Sequence, residues 1–118
     1  MADYLLLYEG GDKNWMTTAT PEEIQEVMGQ WGAWFEELEK SGNLRNPGSA
    51  LAPGGALIRT EGESLATDQS LPEVKELIGG FSIVAADSIE EATEIAKGTP
   101  FLRNNPTGTV LVRPVLQM

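Results

Sequence analysis

The sequence contains neither cysteine nor histidine among its 118 residues. Without cysteine, disulfides, thiolate nucleophiles and cysteine-ligated metal sites are excluded. Without histidine, Ser-His triads, histidine bases and histidine-ligated zinc are excluded as well. Any acid-base group must be a carboxylate, a lysine, a tyrosine or a bound water. We therefore expect no metal and no cofactor; no catalytic residue can be named, and whether the protein is an enzyme stays open.

Basic residues are also scarce, with 8 Lys and Arg against 18 Asp and Glu, a net charge of -10. Such a charge repels nucleic acid phosphates and anionic lipids, and the few cations are scattered along the chain. Long apolar runs are absent too, since the stretch from Tyr4 to Tyr8 is far shorter than a signal-peptide core or a membrane span. We expect one cytoplasmic domain over residues 1–118 that binds neither nucleic acid nor membranes.

The clearest predicted element is a long helix that begins at residue 20 or 21. Thr20 is a good N-cap, Pro21 suits the first helical position, and Glu23 completes a capping box. Gly42 is a natural stop at the other end. The apolar face at helical spacing consists of Ile24, Val27, Met28, Trp31, Trp34, Phe35 and Leu38.

The remaining pattern completes a strand, helix, strand, strand, helix, strand order. It predicts a buried central strand (3–9), a loop (45–55), a strand (56–60) and a brief return strand (65–67). A short capped helix (71–78) and an apolar strand (80–86) are predicted next. The last two elements are a second helix, capped by Asp87 or Ser88 and ended by Gly98, and a final strand (109–115). Gly79 is expected to end the short helix in a left-handed conformation. This order is the α+β, ferredoxin-like βαββαβ arrangement with an antiparallel sheet. Its apolar strands imply that the sheet face without helices is covered as well, most economically by a second copy of the chain.

Four segments, YLLLYEG, TPEEIQEVMGQWGAWFEELEKSGNL, TDQSLPEVKELIGGFSIVAADSIEEATEIAKGTP and GTVLVRPV, resemble the YCII-related superfamily in its branch named for an Asp-Gly-Pro-Phe signature. The resemblance implies a homodimer, the dimeric α+β barrel, in which two ferredoxin-like sheets enclose a cavity. Of the signature only Asp68 is kept, because Gln69, Ser70 and Leu71 replace the other three residues.

A catalytic dyad is proposed in the YCII branch, with a histidine on the first helix and an aspartate near the last strand. In this chain the corresponding positions hold Trp31 and Thr109. Because neither residue type supports that chemistry, the resemblance does not carry the dyad over.

Two candidate sites each have a structural alternative. Asp68 is either a turn or cap residue or a carboxylate that contacts a ligand. Trp31 and Trp34 are either core residues or, with Tyr8 nearby, the lining of an aromatic pocket for a flat organic ligand.

Two arginines on predicted strands are the remaining candidates. Arg59 and Arg113 either bridge to carboxylates of a partner subunit or point into the cavity and bind a carboxylate or enolate.

Three functions are compatible with these features. The first is binding of a small organic molecule in the barrel cavity of the homodimer. The alternative, which the resemblance to the Asp-Gly-Pro-Phe branch permits, is a non-enzymatic regulatory role linked to sigma-factor-type transcription control. In that role the acidic surface would contact a basic protein. The third is a stable dimer whose ligand is lost.

Overall fold

The computed structural model of the chain describes residues 1–12, 15–52, 54–68 and 78–118. Its strands are β1 Ala2–Glu9, β2 Leu44–Ala50, β3 Leu57–Glu61, β4 Ser64–Asp68, β5 Ile78–Ala86 and β6 Thr109–Pro114. Its helices are α1 Trp15–Thr18, α2 Pro21–Ser41, α3 Ile89–Lys97 and α4 Pro100–Asn104. The short helix predicted over 71–78 lies outside the described residues, apart from Ile78, which is the first residue of β5.

The central sheet is antiparallel and has the order β2-β5-β1-β6. The strands β3 and β4 form a separate two-stranded hairpin. The long helices α2 and α3 lie between β1 and β2 and between β5 and β6 in the chain. This is the βαββαβ order of the ferredoxin-like fold, so the predicted α+β class is confirmed.

The second core strand is not the one predicted. Residues 45–55 were expected to form a loop because they contain two prolines and three glycines, yet most of β2 lies there. The strand tolerates Pro47 and Gly48 because it is an edge strand with shifted register on both sides of Asn46. The predicted strand at 56–60 does exist as β3, but among the residues that the structure describes it pairs with β4 alone.

Local signals at the helix ends are confirmed. Thr20 caps α2 with a complete capping box, and Gly42 ends the helix in the left-handed conformation. Ser88, not Asp87, caps α3 by accepting a hydrogen bond from the Glu91 backbone N–H. Gly79 does not take the left-handed conformation predicted for it, because it lies inside β5. No helix in the described part of the chain is long and apolar enough to cross a membrane.

The core lies between the sheet and the two long helices. Alternate residues of β1 and β5 face this layer and are buried, and they meet small residues from α3 and larger ones from α2. The cluster comprises Tyr4, Leu6, Tyr8, Trp34, Leu38, Val84, Ala86, Ala92 and Ala96. β1 is thus central, as predicted, but within one chain only one of its faces is buried.

No helix of the described residues lies on the other face of the sheet, and we call it the uncovered face. Its apolar side chains are Leu5, Leu7, Phe81, Ile83 and Leu111, which are half-buried except for the exposed Leu111. The described chain measures only 19 Å along its shortest axis. That thickness corresponds to one sheet and one helix layer, since packed layers are about 10 Å apart.

The close approach of β2 to β5 predicts unequal effects of two glycine substitutions. A Cβ atom at Gly48 (φ +75°) would overlap the carbonyl oxygen of Phe81, whereas one at Gly62 (φ +64°) would meet no atom within 4 Å. We expect Gly62→Ala to lower the free energy of unfolding by about 1 kcal/mol, the cost of a side chain in the left-handed region. Gly48→Ala should lower it by about 3 kcal/mol, because the steric overlap adds to that cost. Urea denaturation of both variants measures the difference, and equal losses would contradict the close approach.

Candidate functional site

A cavity of about 970 Å³ lies at the end of the sheet where β1 and β2 finish and β5 begins. One wall is the middle of α2, from Val27 to Phe35, and the opposite wall is the end of the sheet. The rest of the described lining comes from Gly10 and Asp12 after β1, from residues 51–52 and 54–56 after β2, and from the short helices α1 and α4, with Asn105 after α4. The cavity is therefore within one chain, mostly on the helix side of the sheet.

Aromatic rings form a continuous cluster along this cavity. The ring of Trp31 lies edge-on to Tyr8, with centroids 5.4 Å apart, and 5.6 Å from the ring of Phe35. Tyr8 also contacts Phe101 of α4 at 5.3 Å. All four rings line the cavity, together with Trp15. The helical spacing of four residues between Trp31 and Phe35 places both on one side of α2.

A chain of hydroxyl groups closes the inner end of the cavity. The Tyr8 hydroxyl donates to Ser82 Oγ at 2.8 Å, and Ser82 Oγ donates to the carbonyl oxygen of Pro47 at 2.8 Å. Burial raises the pKa of Tyr8 above its ordinary value, while side-chain hydrogen bonds to Ser82 and Thr99 act in the opposite direction. Tyr8 is therefore a neutral phenol whose proton is already donated within the protein.

Comparison with protein families gives one match, to the YCII-related domain, over residues 3–118. The chain belongs to the YCII-related family. No curated protein matches the chain. Because the match includes α2, the sheet and α4, the cavity is built from elements of the YCII-related domain itself.

Charged groups are rare on the cavity wall of this YCII-related chain. Among the described lining residues Asp12 alone carries a charged side chain. Two asparagines at the end of α4 also line the cavity, and their side-chain nitrogens donate hydrogen bonds within the protein. Asn104 Nδ2 donates to Gln30 Oε1 at 2.9 Å, and Asn105 Nδ2 donates to the Phe101 carbonyl at 2.8 Å. The described wall is thus mainly apolar, and no described basic side chain lines it.

Two of the predicted site residues are brought together, and a third is not. Tyr8 and Trp31 line the cavity in direct contact. Trp34 contacts Trp31 at 5.8 Å but belongs to the core, and it lines a different groove between α2 and α3.

The predicted charged residues do not converge on the described cavity wall. Arg59 lies on the hairpin β3–β4 and is exposed, and Arg113 is exposed on the edge strand β6, opposite Leu5 of the uncovered face. Asp68 is the last residue of β4 and pairs with Leu57, while its side chain lies outside the described part of the chain.

The two positions that correspond to the family dyad lie on different sides of the sheet. Trp31 is on the helix side, in contact with Tyr8. Thr109 pairs with Glu9, and its neighbour Val110 packs against the core. Because side chains alternate along a strand, Thr109 points away from the helix layer. These two positions therefore do not form a pair in this YCII-related chain.

Several residues of the site were not found from the sequence. Ser82, Thr99 and Phe101 are distant from Tyr8 in the chain and meet it only in the fold. One local signal for α4 was present in the sequence, because Thr99-Pro100 repeats the Thr-Pro pair that begins α2. In the structure Thr99 caps α4, and its side chain accepts a hydrogen bond from the Phe101 backbone N–H at 3.4 Å.

The buried hydroxyl network predicts how Tyr8→Phe changes stability. Removing the phenol leaves Ser82 without its donor, so the free energy of unfolding at neutral pH should fall by about 1 kcal/mol. Because folding raises the pKa of Tyr8, the unfolded chain loses this proton first, at about pH 10. Wild-type stability therefore falls as pH rises above about 10.

Urea denaturation between pH 7 and 11 measures both effects. Tyr8→Phe should lack the Tyr8 part of the alkaline decline, so its deficit relative to wild type shrinks with rising pH. Tyr4→Phe, which removes a phenol from the same strand but leaves Tyr8 in place, should keep that part. A deficit for Tyr8→Phe that grows with pH would contradict the raised pKa.

Proposed function

We propose that this YCII-related protein is a homodimer that binds a flat, uncharged and largely apolar organic molecule in the cavity beside Tyr8 and Trp31. The observation that carries the proposal is the aromatic wall formed by Tyr8, Trp31, Phe35 and Phe101 in a cavity with no described basic side chain. Aromatic faces of this kind favour a planar ligand that stacks or packs edge-on.

The size of the cavity supports a small organic ligand. Its volume of about 970 Å³ lies at the upper end of the range of about 300–1,000 Å³ for ligand sites. Mainly apolar walls with few polar groups are typical of such sites. The hydroxyls of Tyr8 and Ser82 and the side-chain nitrogens of Asn104 and Asn105 already donate within the protein, so hydrophobic burial would provide most of the affinity.

The charge of the wall selects against anionic ligands. A carboxylate or enolate would need a cation, but Arg59 and Arg113 lie elsewhere and Asp12 is the charged side chain on the described wall. The net charge of -10 repels anions further. The ligand class that fits is therefore a neutral aromatic compound, and the hypothesis of an arginine-bound carboxylate receives no support here.

Binding is favoured over catalysis because the one titratable phenol at the inner end is not poised to react. Tyr8 is neutral, and its proton is donated to Ser82, which in turn donates to a backbone carbonyl. A general acid or base needs a pKa near the working pH and a free path to the ligand. Tyr8 has neither feature, so we assign it a positioning role in the wall.

The uncovered face supports the homodimer within this proposal. Five apolar side chains on one flat sheet face form the kind of patch that soluble proteins cover. A second copy of the same face is the simplest cover, because a two-fold axis makes the patch self-complementary. We also place the chain in the branch with the Asp-Gly-Pro-Phe signature, on the strength of Asp68 and the Gly79-Gly80-Phe81 sequence.

Fluorescent probes test the ligand class. N-phenylnaphthylamine, which is neutral, should bind with increased fluorescence and raise the melting temperature, because a ligand specific to the folded state stabilises it. Anilinonaphthalene sulfonate, a similar but anionic compound, should bind at least about tenfold more weakly because of the charge. Equal binding of the two probes would contradict the proposed charge preference.

Variants locate the probe in the cavity. Trp31→Ala should weaken binding of N-phenylnaphthylamine about tenfold, since it removes a stacking surface. Met28→Gln should weaken it about threefold, and this exposed lining residue can be changed with little risk to the fold. Arg59→Ala and Arg113→Ala are the controls and should bind normally. If only the arginine variants lose binding, the probe binds outside the cavity and the proposal is contradicted.

Sedimentation velocity tests the homodimer. Wild type should sediment at twice the 12.7 kDa chain mass, whereas Leu7→Glu, which places a charge in the centre of the uncovered face, should sediment as a monomer. The control Leu65→Glu changes an equally apolar residue on the hairpin, where 71% of its surface is exposed, and should remain dimeric. A monomeric wild type at micromolar concentration would contradict the proposal.

A further inference from the structure

A second groove, of about 910 Å³, lies between α2 and α3, and we call it the interhelical groove. It exists because the two helices pack elsewhere: α2 contacts β2 and α4, while α3 contacts the sheet through β1, β5 and β6. Its apolar lining includes Trp34, Leu38 and Ile95. This groove is separate from the cavity beside Tyr8, and no described residue lines both.

A hydrogen-bond donor reaches the surface of the interhelical groove. Trp34 is only 7% exposed, and its indole N–H has no hydrogen-bond partner in the described part of the chain. Because no buried side-chain nitrogen in that part of the chain lacks a partner, the indole nitrogen keeps contact with solvent. An indole nitrogen donates only, and it usually finds an acceptor when the ring is buried. A Cβ atom at Gly98 would lie 3.6 Å from this nitrogen, so the glycine leaves the donor accessible.

The charged groups on the groove are mainly acidic. Glu37, Glu91 and Glu94 line it together with a single described cation, Arg103. Arg103 is partly engaged, because its Nη2 donates to the Gly98 carbonyl at 3.2 Å. Glu94 is paired with Lys97 Nζ at 2.8 Å, and Glu91 accepts a hydrogen bond from Asn43 Nδ2 at 3.2 Å. With Lys97 counted, the three carboxylates exceed the two cations by one charge, so the rim stays negative around an apolar base with one solvent-facing donor.

We propose that the interhelical groove docks a short basic segment of a partner protein. One aliphatic or aromatic side chain of the segment packs on Trp34, Leu38 and Ile95. A backbone carbonyl of the segment accepts the hydrogen bond of the Trp34 indole N–H, and flanking Lys or Arg side chains lie beside the acidic rim. This inference does not rest on the ligand cavity.

The chemistry of the groove favours a peptide over other occupants. Nucleic acid is repelled by the acidic rim and by the net charge of -10. A small polyamine would satisfy the carboxylates but would leave the apolar base and the indole donor unused. A basic amphipathic segment satisfies all three features, and charge complementarity of this kind speeds association and selects partners.

Titration of ¹⁵N-labelled full-length protein with a model peptide tests the proposal. The peptide carries lysines on both sides of a central Leu-Phe pair, and its termini are blocked. The chain has three tryptophans, and the Trp15→Phe and Trp31→Phe variants assign their indole N–H signals by elimination. The Trp34 signal should move with added peptide, while the Trp31 signal, which reports on the ligand cavity, should not move.

Paired variants separate the groove from general acidity. Glu37→Gln/Glu94→Gln should raise the Kd about threefold to tenfold. Glu26→Gln/Glu39→Gln removes the same charge from exposed positions outside the groove lining and should change the Kd less than twofold. If the two double variants weaken binding equally, the effect comes from net charge alone and the proposal is overturned.

Gly98→Ala tests the donor directly. The added methyl makes only ordinary contacts, 3.5 Å from the Ile95 carbonyl and 3.6 Å from Trp34 Nε1, so the fold should be retained. It covers the indole N–H and should weaken the peptide at least about tenfold, the loss expected for a hydrogen bond and its packing. A control peptide with Ser-Ser in place of Leu-Phe should not bind. If it binds as tightly as the original peptide, the groove binds cations only and the proposal is overturned. The proposal is also overturned if the original peptide moves the Trp31 signal alone.

Discussion

The pairing of β1 with β5 is the constraint on which the rest of the structure depends. It places Tyr4, Leu6 and Tyr8 beside Val84, Ser82 and Gly80 on the face that receives both helices. The same register brings the Tyr8 hydroxyl to Ser82, which holds the middle of β2 through the Pro47 carbonyl. A slip of one residue would turn this entire set to the uncovered face, so core, cavity and hydroxyl network are specified together.

Local chemistry made the two long helices, α2 and α3, predictable from the sequence, whereas the short helices α1 and α4 were not predicted. Thr20 and Glu23 form the predicted capping box, and Gly42 ends α2 as expected, because each signal acts within a few residues. The strand β2 was not predictable in this way. Pro47 and Gly48 are loop signals locally, and only the pairing of this edge strand with β5 overrides them.

The site was predictable only in part, for the same physical reason. The aromatic face of α2 pointed to a pocket with Tyr8, and the structure brings Tyr8 and Trp31 into contact. Helical spacing alone did not distinguish Trp31 from Trp34, because both lie on the apolar stripe. Trp31 lines the cavity beside Tyr8, whereas Trp34 lines the interhelical groove. This difference depends on where α3 and α4 pack, which is a long-range property of the fold.

The size of the core residues differs between the two helices. Under α3 the contacts are made by Ala92 and Ala96, whereas α2 packs through Trp34 and Leu38, with Trp31 and Phe35 at its side. Small residues allow α3 to approach the sheet closely, and changes of size there are poorly tolerated in a packed core. The rings of α2 partly border open space instead. Substitutions on this side of α2 can therefore change the shape of the cavity while the close contact of α3 with the sheet keeps the framework in place.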